Sequence, residues 1–342
     1  MITLTPTPTD HKYGSDDSGL VCGFLFRPNT SGTPLGSREA LAWLAEDSPN
    51  EGEFIWLHFN LANVASERWL SRSLALSPLF FETLNEGSRS TRVEFADDQL
   101  IAVLNDVLFD FSFDPSDVST LVLSVGPRFL VTARKKALRS VDRLRVAVKN
   151  GEQFPSPTSL LVHLLRDQAD VLVSILRNSI EKVDQIEDRL LAGRVETKRA
   201  ELGQLRRVLV RLKRLLAPEP GALFRLLNRP PSWMSEEDIA ELRQSTEEFS
   251  VSLSDIDTLQ ERIKLLQEEI SALVQEQNNR SLWVLSLFTV LALPVNMIAG
   301  FFGMNVGGVP LAQNEAGFAI VVSVVLSITV AIGWWILRQK QR

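Results

Sequence analysis

Two uncharged stretches near the end of the chain limit what it can fold into. Residues 282–302 (LWVLSLFTVLALPVNMIAGFF) and 317–337 (GFAIVVSVVLSITVAIGWWIL) each run for 21 positions without an ionisable side chain. About 20 apolar residues at 1.5 Å rise cross a ~30 Å hydrocarbon core, so each is long enough to span a bilayer. Two helices buried in a soluble core would fit this length and charge depletion poorly. Trp283 opens the first stretch and Trp334 and Trp335 lie near the end of the second, as an interfacial aromatic belt requires.

Charge sets the expected orientation. The connection, residues 303–316, has no Lys or Arg, whereas Arg280 precedes the first stretch and Arg338, Lys340 and Arg342 follow the second. The positive-inside bias then puts both flanks in the cytoplasm and the connection outside. The expectation is a C-terminal transmembrane hairpin carrying a large cytosolic part, with both termini inside. The N-terminus is polar and threonine-rich, so no signal peptide is expected.

Composition closes other routes. With 36 Lys and Arg against 42 Asp and Glu, the net charge of −6 argues against a nucleic-acid partner. A single cysteine, Cys22, excludes an intrachain disulfide and a cysteine-based zinc cluster. His11, His58 and His163 are too far apart to form a local metal motif, and His58, near a strand end, reads as a packed or surface histidine rather than a catalytic base. No Gly-rich phosphate loop, Ser/His/Asp grouping or cysteine nucleophile points to an enzyme, and no cofactor is expected.

The cytosolic part divides by pattern. Residues 1–20 read as a poorly ordered start, and residues 21–150 as an α/β domain with a mixed sheet. Strands are expected at 53–59, 99–109, 119–124 and 128–133, the last two forming a hairpin around Val125-Gly126-Pro127. Helices are expected within 66–85 and at 137–149. Residues 151–234 form a helical region: one helix over 158–191, and a second over 196–216 stopped by Pro218 and Pro220. The first carries Glu181, Asp184, Glu187 and Asp188, the second Lys198, Arg199, Arg206, Arg207, Arg211, Lys213 and Arg214, so their charged faces partly complement each other.

A stalk helix follows over 235–281. Ser235-Glu-Glu-Asp caps its start, and no proline recurs before Pro294. Phe249, Ile256, Leu259, Ile263, Leu266, Ile270 and Leu273 keep a heptad seam, which by itself would equally serve coiled-coil association. A helix unbroken from 235 to 302 would be roughly 100 Å long and could carry movement into the membrane.

The first membrane stretch has one polar face. At 100° per residue from Leu282, Ser286, Thr289 and Asn296 fall at about +40°, −20° and −40°, with Leu293 and Gly300 on the same arc and Asn279 at its cytoplasmic edge. An amide in hydrocarbon is costly unless it faces protein or water, so this face points inward, either lining a pore or joining helices. Two stretches with one polar face cannot enclose a passage; a pore needs several copies of the first helix around it. The absence of Lys and Arg favours a cation.

The connection opens with Gly303-Met304-Asn305, followed by Val306-Gly307-Gly308-Val309-Pro310. A Gly-Met-Asn triplet closing the penultimate span, together with Asn278-Asn279 and Pro294, resembles the CorA-type divalent-metal transporters. That resemblance implies a funnel-shaped homopentamer, the first span lining the pore and the second outside it. It also implies that Gly303, Met304 and Asn305 form the outer mouth as a selectivity loop, Asn305 meeting a hydrated cation. Neutral oxygens can hold a hydration shell without trapping the ion. Magnesium-transporting members have Tyr before the triplet and Met-Pro-Glu-Leu after it, where this chain has Phe302 and Val309-Pro310-Leu311. In that it is similar to the ZntB branch, associated with zinc uptake and a proton gradient. Zn²⁺ is therefore favoured as the transported ion, a magnesium or cobalt channel being the alternative and a membrane-tethered coiled-coil scaffold a more distant one. Domain boundaries follow: outer loop 303–316, second span 317–337, basic cytosolic tail 338–342. Asp255 and Asp257 on the stalk are candidates for regulatory metal binding.

Overall fold

The structure, a computed structural model, describes residues 14–45, 50, 52–86, 91–193, 199–304, 308, 310–311 and 314–340. The chain forms two compact units, Met1–Gln267 and Glu268–Arg342. The elements begin with β1 (Leu20–Phe26), β2 (Thr33–Pro34), α1 (Ser37–Leu44), β3 (Phe54–Asn60), α2 (Val64–Ser73) and α3 (Pro78–Glu86). Next come β4 (Arg92–Ala96), β5 (Gln99–Val107), β6 (Val118–Gly126), β7 (Phe129–Arg134) and α4 (Arg139–Lys149). Helices complete the chain: α5 (Pro157–Leu191), α6 (Arg199–Leu216), α7 (Pro218–Leu227), α8 (Glu236–Phe302) and α9 (Gly317–Lys340).

Among the described residues the first unit holds one sheet in the order β2-β1-β3-β7-β6-β5-β4. It is mixed: β3 pairs parallel with β7, and its other pairings are antiparallel. Both faces are covered, which is why β3 reads as a nearly continuous apolar run. Phe54 and Trp56 join the core formed with α4, α5 and α7, while Ile55, Leu57 and Phe59 join the core formed with α1, α2 and α3. Each such side chain contributes about 1.5–3 kcal/mol on full burial.

His58 is the polar exception inside this strand, and it is fully bonded. Arg134 Nε donates to His58 Nε2 at 3.0 Å, so the ring hydrogen sits on Nδ1 and is donated to Thr132 Oγ1 at 2.8 Å. Trp56 Nε1 donates to the same hydroxyl oxygen at 2.9 Å. Burial, reinforced by the Arg134 charge, holds His58 well below its usual pKa. It is a neutral packing residue.

The helices of the first unit explain the heptad seam. Phe249, Ile256, Leu259, Ile263 and Leu266 of α8 are buried, as are Leu172, Ile175, Leu176 and Val183 of α5 and Leu205, Val208, Leu209 and Leu212 of α6. Ion pairs fix the neighbours: Arg262 of α8 bonds Asp184, at 2.7 Å, and Glu187 of α5, and Lys213 of α6 bonds Asp257 of α8. The expected complementarity of the acidic and basic helices thus runs through α8, and five of the seven seam residues are buried within the first unit.

Several local expectations change. Pro218 begins α7 rather than only ending α6, because proline lacks an N–H that a first-turn position would leave unbonded. β1, β2, β4 and α1 add to the elements expected from the sequence pattern. Before β1, Asp16 Oδ1 accepts from Ser18 N and Leu20 N, both at 2.9 Å, so residues 16–20 form a bonded turn. Residues 1–13 and 196–198 lie outside the described residues.

Candidate functional site

The end of α8 and the whole of α9 make up the membrane-length helices of the second unit. On α8, Trp283, Leu287, Leu291, Pro294, Val295 and Ile298 are half-buried. On the angular scale used above all but Val295 fall between about 100° and 180°, and Val295 at about −140°. On α9, Val321, Val325, Thr329, Ile332 and Gly333 are half-buried and share one face. Gly333 lies against Leu291: a Cβ built there would meet Leu291 Cδ2 at 3.9 Å.

The predicted polar arc lies on the other side. Asn279, Leu282, Ser286, Thr289, Leu293, Asn296 and Gly300 are all exposed. Leu282 and Leu293 are 61% and 59% accessible, values an apolar row reaches only where no neighbour covers it. The polar arc is therefore not the contact between the two helices of one chain. Thr289 Oγ1 donates to the Leu285 carbonyl at 3.0 Å, which satisfies its hydrogen inside the helix and leaves oxygen lone pairs outward. Pro294 lacks the N–H that would bond the carbonyl four residues earlier, so the helix loses one internal bond at Val290.

The triplet begins on the last turn. Gly303 N donates to Ala299 O at 2.9 Å, and Met304 is exposed. Asn305, with residues 306–307, 309 and 312–313, lies outside the described residues. The loop re-enters α9 through a tight turn. Leu311 has φ +64°, Asn314 N donates to Leu311 O at 3.1 Å, and Gly317 N donates to Asn314 O at 2.9 Å. A Cβ on Gly317 would come within 2.5 Å of Leu311 O, so only glycine fits that position. Sequence reasoning read Gly317 as the edge of a span and missed this close approach.

The stalk aspartates do not form a metal cluster. Asp257 is bonded to Lys213, and Asp255 lines an open groove of about 420 Å³ beside Arg177 and Arg262. Among the described residues there is no group of three or more His, Cys, Asp or Glu side chains placed to hold a metal ion. A different cluster also escaped the sequence reading: His163 is bonded to Asp167 and Glu152. The four-residue spacing of His163 and Asp167 was its available signal.

Comparison with known proteins agrees with these features. The family described as "CorA-like Mg2+ transporter protein" matches residues 51–339. The chain is 24% identical over 323 residues to the zinc transport protein ZntB of Pectobacterium carotovorum, covering 94% of this chain and 96% of that one. It is 26% identical over 330 residues to the divalent cation transporter CmaX of Pseudomonas aeruginosa, covering 95% and 97%. The solved structure of full-length CmaX superposes with a TM-score of 0.80 at 24% identity, covering 96% of this chain and 99% of that one.

Proposed function

The chain belongs to the CorA-like family of divalent-cation transporters, and from that membership we propose that it takes up Zn²⁺ across the inner membrane as a homopentamer, driven by a proton gradient. It is a transporter rather than an enzyme. The observation that carries the proposal is the uncovered polar arc of α8, opposite the side that meets α9. A face of Ser286, Thr289 and Asn296 left open toward hydrocarbon is costly, and a ring of copies around water removes that cost. In this reading Leu282, Leu293 and Gly300 share the pore wall, Asn279 lies at its inner end, and Gly303, Met304 and Asn305 form the outer mouth. Both termini face the cytoplasm.

The choice of zinc over magnesium or cobalt rests on Phe302 before the triplet and Leu311 where magnesium transporters carry an acid. The pore arc has no Cys, His or carboxylate, so tight zinc coordination is not its mode. The ion passes with much of its water, and Ni²⁺, Co²⁺ and Cd²⁺ compete. Neither span has an ionisable side chain, so protons move with that water or titrate groups outside the spans. The scaffold reading loses its main support because five of the seven seam residues are buried within the first unit, on a helix that ion pairs join to α5 and α6.

Proteoliposome flux tests the proposal. Zn²⁺ uptake is expected, increased by an imposed proton gradient and little changed by a modest excess of Mg²⁺. Robust Mg²⁺ flux without Zn²⁺ flux in the same vesicles would return the protein to the magnesium branch.

A further inference from the structure

We infer that His163 is a pH-sensitive latch that fastens the connection between α4 and α5 to the start of α5. Its Nδ1 lies 3.0 Å from Asp167 Oδ2 and its Nε2 lies 3.3 Å from Glu152 Oε1. Ionised carboxylates only accept hydrogen bonds, and a neutral imidazole donates through one nitrogen alone. Both contacts are satisfied together only by the imidazolium. Partial burial opposes that charge, but the hydrogen bond and charge of Asp167, followed by those of Glu152, outweigh it and hold His163 above its usual pKa.

The charged groups around the ring come from each neighbouring segment. Glu152 belongs to the connection and Asp167 to the same helix. Arg143 of α4 lies 4.0 Å from Asp167 Oδ1 and competes with His163 for that carboxylate. Asp238, in the first turn of α8, reaches the connection by accepting from Ser156 Oγ at 2.7 Å.

What the latch holds gives it consequence. The ring stands edge-on to Phe154 at 5.4 Å, and Phe154 is buried edge-on to Phe26 of β1 at 5.9 Å. Two residues further on, Ser156 caps α5 by accepting from Ser159 N at 3.0 Å. The chain therefore passes from α4 to α5 through a short connection that the His163 ring joins to the start of α5. Because the folded state raises the histidine pKa, the stabilisation is complete below the unfolded value of about 6.5 and is lost as pH rises through the folded value. Deprotonation leaves one carboxylate facing a lone pair, which loosens Phe154 and the Ser156 cap together.

Hydrogen exchange of the full-length protein in detergent, corrected for intrinsic exchange, reads this directly and does not depend on which cation is carried. Protection of residues 151–159 is expected to fall several-fold as pH rises through neutrality, while β5 and β6 stay unchanged. His163→Gln should show the low protection at every pH, and Glu152→Gln, half-exposed and able to fold, should move the fall to lower pH. Wild-type protection that stays flat with pH would overturn the latch. So would wild-type pH dependence retained in His163→Gln, or an unshifted fall in Glu152→Gln.

Discussion

Gly333 of α9 packs against Leu291 of α8, 3.9 Å from the position a Cβ would take, on the side of α8 turned away from Ser286, Thr289 and Asn296. This separates two kinds of variant in one helix. Asn296→Leu should assemble normally and lose most of its flux, because it removes an amide from the proposed pore wall. Leu291→Asn should instead weaken the hairpin, since it puts an amide into a helix contact. Uptake in proteoliposomes and mass in detergent distinguish them; the reverse pattern would move the pathway to the other side of α8.

Asn305→Ala should give normal oligomers with little or no uptake. In the proposed homopentamer a ring of such residues at the mouth would supply amide oxygens to the water around an incoming cation, and alanine would strip all of them at once. Near-normal uptake by this variant would mean that the triplet is only a turn.

The charge asymmetry around the spans predicts the orientation. In a Cys22→Ser background, Gln313→Cys should react with an impermeant thiol reagent added to intact cells, and Gln341→Cys should not. The opposite labelling would reverse the topology and the direction of uptake.

Thr132→Val should destabilise the sheet without altering flux in the protein that remains folded. Its hydroxyl oxygen accepts from both Trp56 Nε1 and His58 Nδ1, so valine leaves two buried donors unbonded. One such donor costs about 1–3 kcal/mol, and the unfolding midpoint should drop by several degrees. An unchanged midpoint would show that the two donors do not depend on this hydroxyl.

Glu219 supplies a pH dependence of defined sign. It is fully buried at the start of α7, and burial, with the charge of Asp106 adding to it, pushes its carboxyl well above the usual range despite the hydrogen bond from Gln168. The unfolded chain ionises this group above about 4.3, so its contribution to stability falls as pH rises from there toward the raised folded value. Glu219→Gln should reduce the loss of thermal stability between pH 5 and pH 8. An identical slope in both proteins would show that Glu219 is not held protonated.

Most of the membrane part was legible because it depends on local quantities. Span length is a sum over about 20 neighbouring residues, and the arc of Ser286, Thr289 and Asn296 follows from a fixed 100° step. The strands at β3, β5, β6 and β7 were legible for the same reason, as dense apolar runs bounded by turns. β1 was not, because its LVCGFLF run follows a polar start and is completed by pairing with β3, some thirty residues later.

By itself, then, the sequence determined where the long helices and the two membrane-length stretches lie, which face of the first stretch is polar, and which triplet closes it. Tertiary structure decided what covers each face. The heptad seam announced a partner without saying that most of it would be buried within the same chain, on a helix ion-paired to α5 and α6. Likewise His163 shows in sequence only its helical neighbour Asp167, and Glu152 joins it because the connection folds back. Periodicity specifies the direction of a side chain relative to its own axis; the identity of the group it meets depends on contacts between segments distant in the chain, which no local pattern encodes.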